Sequence, residues 1–122
     1  MLELEKEVFD QWEADFLREV DSGTQHGFGM VVEAIALGFE MGQNGVEISL
    51  LKDGPTKEAI KREVQPDYYI GQARYELTRF LIKRLAVFVE SPSSVVSSQT
   101  VKELALGAAC LGDAINRNHI IP

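Results

Sequence analysis

The sequence predicts an all-α fold: a small bundle of four to five helices, with one short extended segment near residues 46–51. Three observations carry this prediction. Apolar residues recur three and four apart in residues 3–21, and the same period runs through residues 67–90. Clusters of glycine, serine, asparagine and proline divide the chain between such stretches. A chain of 122 residues can bury one core and is too short for two ordinary domains, so residues 1–122 read as a single helical domain.

The first helix covers residues 3–21. Phe9, Trp12, Phe16 and Val20 fall on one stripe, and acids occupy most of the remaining surface. Asp21-Ser22-Gly23-Thr24 is a turn cluster, and the glycines of residues 23–29 turn the chain and admit Phe28 to the core. A helix beginning behind those glycines presents free amides to an anion, but the stretch lacks the Gly-Lys-Ser/Thr ending of a P-loop and the full dinucleotide-binding spacing. In the second helix, residues 28–43, Met30, Val31, Val32, Ile35, Leu37 and Phe39 go almost all the way round, which marks it as the central, most buried helix. Asn44-Gly45 stops it, because both residues tolerate the left-handed conformation of a helix C-terminus.

Val46, Ile48 and Leu50 alternate with Glu47 and Ser49, a strand period with no pairing partner, so residues 46–51 read as an extended connector or a helical turn. Lys52-Asp53-Gly54-Pro55 makes a turn, Thr56 caps a short helix over residues 56–64, Pro66 ends that segment and Asp67 caps the next. Over residues 67–90 the helical period is kept by Ile70, Ala73, Leu77, Phe80, Leu81, Leu85 and Phe88. Residues 91–98 are small and polar apart from two valines and read as a surface linker. Thr100 and Glu103 have the capping-box spacing, and Val101, Leu104, Ala108, Leu111 and Ile115 supply the buried stripe of a last helix.

Charge is split along the chain. Residues 1–51 carry eleven carboxylates and two cations, a net of −9; residues 52–84 sum to +3 and residues 85–122 to −1. A pI near 4.8 argues against direct nucleic-acid binding, which needs a surface that neutralises several phosphates. With 45% hydrophobic and 25% charged residues the composition is that of a folded chain, not a disordered one. Cys110 is the only cysteine, so no disulfide forms within the chain, and the expected setting is cytoplasmic. The opening residues lack the pattern of a secretory leader. The most apolar segment, residues 28–41, is too short and carries Glu33 and Glu40, so no membrane span is expected.

Signatures of a reaction are missing from the sequence. A di-iron bundle site needs Glu-x-x-His pairs, and none occurs. Among Glu-x-x-Glu and Glu-x-x-Asp pairs, with which all-α pyrophosphohydrolases gather magnesium, there is only Glu7-x-x-Asp10, and Glu33 and Glu40 do not supply the second motif. Cys110 follows Ala108-Ala109 in the last helix and reads as a core cysteine. His26 falls in a turn, while His119 and Arg117 suit the negative end of a helix. The expectation is therefore no catalytic residue, no metal and no cofactor.

Two surfaces remain as candidates for recognition. Glu3, Glu7, Asp10, Glu13 and Asp15 make the first helix a carboxylate face that steers a basic protein partner, as an inhibitor or as a subunit of a larger assembly. Arg74, Tyr75, Arg79 and Lys83 form a basic strip with an aromatic beside it, suited to the acidic helix or, as the alternative, to an anionic small ligand such as a phosphate or nucleotide. Small residues in the last helix permit close approach of another helix, from the second helix or from a second copy. Ala105, Ala108 and Gly112 with the apolar tail Ile120-Ile121 are thus candidate oligomer contacts. The reading is a non-enzymatic interaction protein that docks on a protein partner or on itself.

Overall fold

The computed structural model describes the backbone of residues 3–46 and 70–120, and within these the side chains of residues 6–46, 75, 77–116. Four helices appear: α1 (Glu3–Asp21), α2 (Phe28–Gln43), α3 (Ile70–Glu90) and α4 (Ser98–Ile120). Two-residue strands β1 (Gln25–His26) and β2 (Val96–Ser97) pair antiparallel, Gln25 with Ser97 and His26 with Val96. The molecule is a small all-α bundle of two helical hairpins, α1–α2 and α3–α4, whose turns are clipped together at one end. The expected helix over residues 56–64 lies outside the described residues, as do the expected extended segment beyond Val46 and the start of the helix expected at residue 67.

The centre is the pair α2 and α4, held at backbone distance. A Cβ placed on Gly38 would fall inside the Ala105 carbonyl, one on Gly42 inside the Ala109 carbonyl, and one on Gly112 inside the Phe39 carbonyl. Since 38 meets 105 and 42 meets 109, the two helices run parallel, and α1 and α3 run back against them. Small residues at four-residue spacing on both helices let the backbones meet with nothing between them, which is why glycine is tolerated in two helix interiors despite its cost of about 1 kcal/mol against alanine.

That seam changes which helix is most buried. The second helix buries Val31, Ala34, Gly38, Met41 and Gly42, while Val32 and Phe28 stand half exposed. Its buried face is chosen by small residues rather than by its bulkiest ones. The most buried helix is instead α4, where Val101, Leu104, Ala105, Leu106, Ala108, Ala109 and Ala114 are all inside. Phe28, expected in the core, is 48% exposed and leans on Phe88 of α3, ring centroids 5.2 Å apart. On α1, Phe9, Phe16 and Val20 are buried as expected, but Trp12 is 44% exposed and stands edge-on to Phe9 at 5.2 Å. From α3, Leu77, Phe80, Leu81 and Phe88 face inward, with Leu85 half-buried. Cys110, expected in the core, is half-buried and packs beside Leu77.

The stop at Asn44-Gly45 is realised in full. Gly45 takes φ +75°, its N–H donates to the Gly42 carbonyl at 3.0 Å, and the Val46 N–H donates to the Met41 carbonyl at 2.9 Å. These are the paired bonds of a Schellman motif, and both Val46 and Met41 are buried in the core. The start of α4 differs from expectation: Ser97, not Thr100, is the cap, its Oγ accepting from the Thr100 N–H at 3.2 Å. The presumed linker ends in β2, so its last residues are fixed by pairing rather than left as a surface loop.

Candidate interaction surfaces

The acidic helix presents two flanks around its buried stripe. At 3.6 residues per turn, Val8, Trp12, Asp15 and Glu19 line one flank, and Glu7 and Asp10 lie on the other; all six are exposed. Of the five carboxylates expected to meet a partner, Glu3 is the first residue of α1, Glu7, Asp10 and Asp15 are exposed, and Glu13 is half-buried. Two are partly neutralised on their own helix: Lys6 Nζ lies 3.1 Å from Asp10, and Arg18 lies 3.2 Å from Asp15, which also accepts from Gln11 at 3.0 Å. Such solvent-exposed pairs contribute little to stability, about 0.3–0.5 kcal/mol each, and leave the charge available to a partner. The Glu19 carboxylate has no cation partner among the described residues.

The basic strip lies on the outer face of α3. Tyr75, Arg79 and Lys83 are exposed and successive turns apart, with the Arg79 guanidinium 5.8 Å from the Tyr75 ring centre. Arg84 turns the other way and stacks on the ring of buried Phe80 at 3.5 Å, covering the edge of the core. Arg74 lies on α3, and its side chain is outside the described ones. An ion pair between helices joins α1 to α4: Lys102 Nζ lies 2.8 Å from Asp21.

The small residues of α4 have found their partner within the chain. Ala105 and Gly112 are buried against α2, so of the two partners expected the second helix is the one these two meet; Ala108 is buried as well. Ile120 is the last residue of α4, and Ile121 lies outside the described residues.

One constellation escaped sequence reasoning. His26, at 9% exposure, is buried where the two turns meet; its Nε2 lies 2.9 Å from the Val20 carbonyl and 3.0 Å from Ser98 Oγ. A carbonyl only accepts, so Nε2 carries the proton. Ser98 Oγ in turn donates to the Gly23 carbonyl at 2.8 Å, with Val20 also in reach at 3.1 Å. The end of α1, the first turn and the start of α4 thus share one small network. Among the described residues its histidine hydrogen-bonds to backbone and to Ser98.

No group of three or more His, Cys, Asp or Glu side chains among the described residues gathers to hold a metal ion. Nor is any described helix long and apolar enough to cross a membrane. The chain matches no protein-family model, no curated protein and no solved structure.

Proposed function

We propose that this is a non-enzymatic interaction protein that meets a basic protein surface through α1. The observation that carries the reading is Trp12: a tryptophan braced edge-on by buried Phe9, half exposed on a helix dense in carboxylates. An exposed, pre-positioned tryptophan costs little entropy to dock and is the side chain most often found at the energetic centre of an interface. Around it Asp15, Glu19, Glu7 and Asp10 supply the field that steers a cationic partner and selects it over acidic ones. A cytoplasmic setting goes with this reading, on the strength of the lone Cys110.

The test compares pulldowns from source-cell lysate at low salt, using wild type, Trp12→Ala, and the pair Glu7→Lys with Asp10→Lys. Partner capture is expected to fall at least tenfold in both variants, with helical content by circular dichroism unchanged. Equal capture by all three proteins would remove α1 from the interaction.

A second reading keeps Tyr75, Arg79 and Lys83 for an anionic small ligand, because Arg79 and Tyr75 stand together and exposed. It ranks below the first, since small ligands bind in concave sites and these residues line one open helix face. A thermal shift against phosphate and a nucleotide panel discriminates: a ligand at a hundred times its Kd stabilises by about 2.7 kcal/mol.

A further inference from the structure

The outer face of α3 is unusual for a helix in a small bundle. Tyr75, Ile82 and Val89 are 59%, 61% and 83% exposed and stand seven residues apart, so they form a single straight seam pointing away from buried Leu77, Leu81 and Phe88. Ala86, also exposed, fills the seam between Ile82 and Val89, and Arg79 and Lys83 flank its other half. An apolar seam of seven-residue period is the complement of another helix.

The flank of α1 has the matching order. From its N-terminal end it reads Val8, Trp12, Asp15, Glu19: two apolar residues, then two acids. Read backwards, α3 gives Val89, Ala86, Ile82, Arg79, with Lys83 at the side: apolar first, then basic. Laid antiparallel, Val8 falls against Val89, Trp12 against Ala86, Asp15 beside Ile82 and Lys83, and Glu19 against Arg79. Laid parallel, Asp15 would meet the same Ile82 and Lys83, but Trp12 would be set against Arg79 and Glu19 against Ala86, so the pairing of Glu19 with Arg79 would be lost. Neither Arg79 nor Lys83 has an acid partner among the described residues. Pairing α3 with α3 would instead crowd Arg79 and Lys83 of two copies together.

We infer that the partner of α1 is a second copy of this chain, with α1 of one copy lying antiparallel along the Tyr75–Ile82–Val89 seam of the other. This rests on the reading of α1 as a docking face and adds the identity of what it docks on.

Light scattering behind size exclusion, at low and high salt, tests it with two variants. One carries Asp15→Lys and Glu19→Lys, the other Arg79→Glu and Lys83→Glu; all four side chains are exposed, and circular dichroism checks that each variant keeps its helices. Wild type is expected to form an oligomer that weakens in salt, each variant alone to weaken it roughly tenfold or more, and an equimolar mixture of the two to reassemble, because mixing restores opposite charges. Register is read by mixing single-cysteine chains in a Cys110→Ser background. Val8→Cys is expected to cross-link with Val89→Cys and not with Tyr75→Cys. A wild type that stays monomeric into the high micromolar range overturns the inference, while the lysate comparison still decides the role of α1. Variants that separate but do not reassemble on mixing also overturn it, since they would show like helices meeting.

Discussion

His26 and Ser98 are seventy-two positions apart in sequence, yet His26 Nε2 and Ser98 Oγ lie 3.0 Å from each other. They close the end of the bundle at which both hairpins turn. The bond between them is lost when either side chain is removed, so each single variant already carries its loss. Ser98→Ala is expected to cost about 1 kcal/mol, the net value of an ordinary hydrogen bond, and His26→Ala about 2–3 kcal/mol, since it also empties a buried space. In urea unfolding the double variant is expected to lose less than the sum of the two. Strict additivity would show that the two side chains do not act as a unit.

Substitution at glycine separates backbone contact from side-chain contact. Gly42→Ala drives a methyl into the Ala109 carbonyl, which moves only if the helices separate, and is expected to cost about 2–3 kcal/mol. At Gly107 the nearest atoms to a new Cβ belong to the Phe80 ring, at 2.9 Å, and a ring edge can swing aside. Gly107→Ala also gains about 1 kcal/mol of helix propensity, so its net change is expected to stay within about 1 kcal/mol of wild type. Thermal melts of the two variants check the order.

The cap of α4 offers a comparison three residues wide. Ser97→Ala removes the oxygen that accepts the Thr100 N–H and is expected to destabilise by about 1 kcal/mol. Thr100→Ala removes only the contact between the two hydroxyls, 3.1 Å apart, and is expected to cost less than half as much. Chemical denaturation of both variants reads the difference directly. A larger loss at Thr100 would restore it as the cap.

The bounds of α1 and α2 were legible because their signals are local: a turn cluster after Asp21, and Asn44-Gly45 with its left-handed glycine. Burial was less so. Hydrophobicity ranks Phe28 and Val32 above Gly38 and Gly42, yet the glycines are the residues that let α2 reach α4, and the two larger side chains of the same helix stand half exposed. The start of α4 was misplaced because the choice between Ser97 and Thr100 depends on β2 pairing with β1, a contact made across most of the chain. His26 and Ser98 each sit among turn residues, and neither advertises the other. The carboxylates of α1 were visible from charge alone. That Val8 and Trp12 share a flank with Asp15 and Glu19, however, follows only once Phe9, Phe16 and Val20 are known to face inward.

The contact of α2 with α4 has a genealogical consequence. Exposed residues outside the proposed contacts, such as Glu33, Val95 or Gln99, can change with little penalty to stability, so ordinary sequence likeness erodes quickly over much of this chain. At Gly38, Gly42 and Gly112 any larger side chain must force two backbones apart. Distant kin of this protein are therefore best sought by a sparse ruler, Gly-x3-Gly in one helix and Ala-x3-Ala-x2-Gly in another, with the letters between those marks left free to drift.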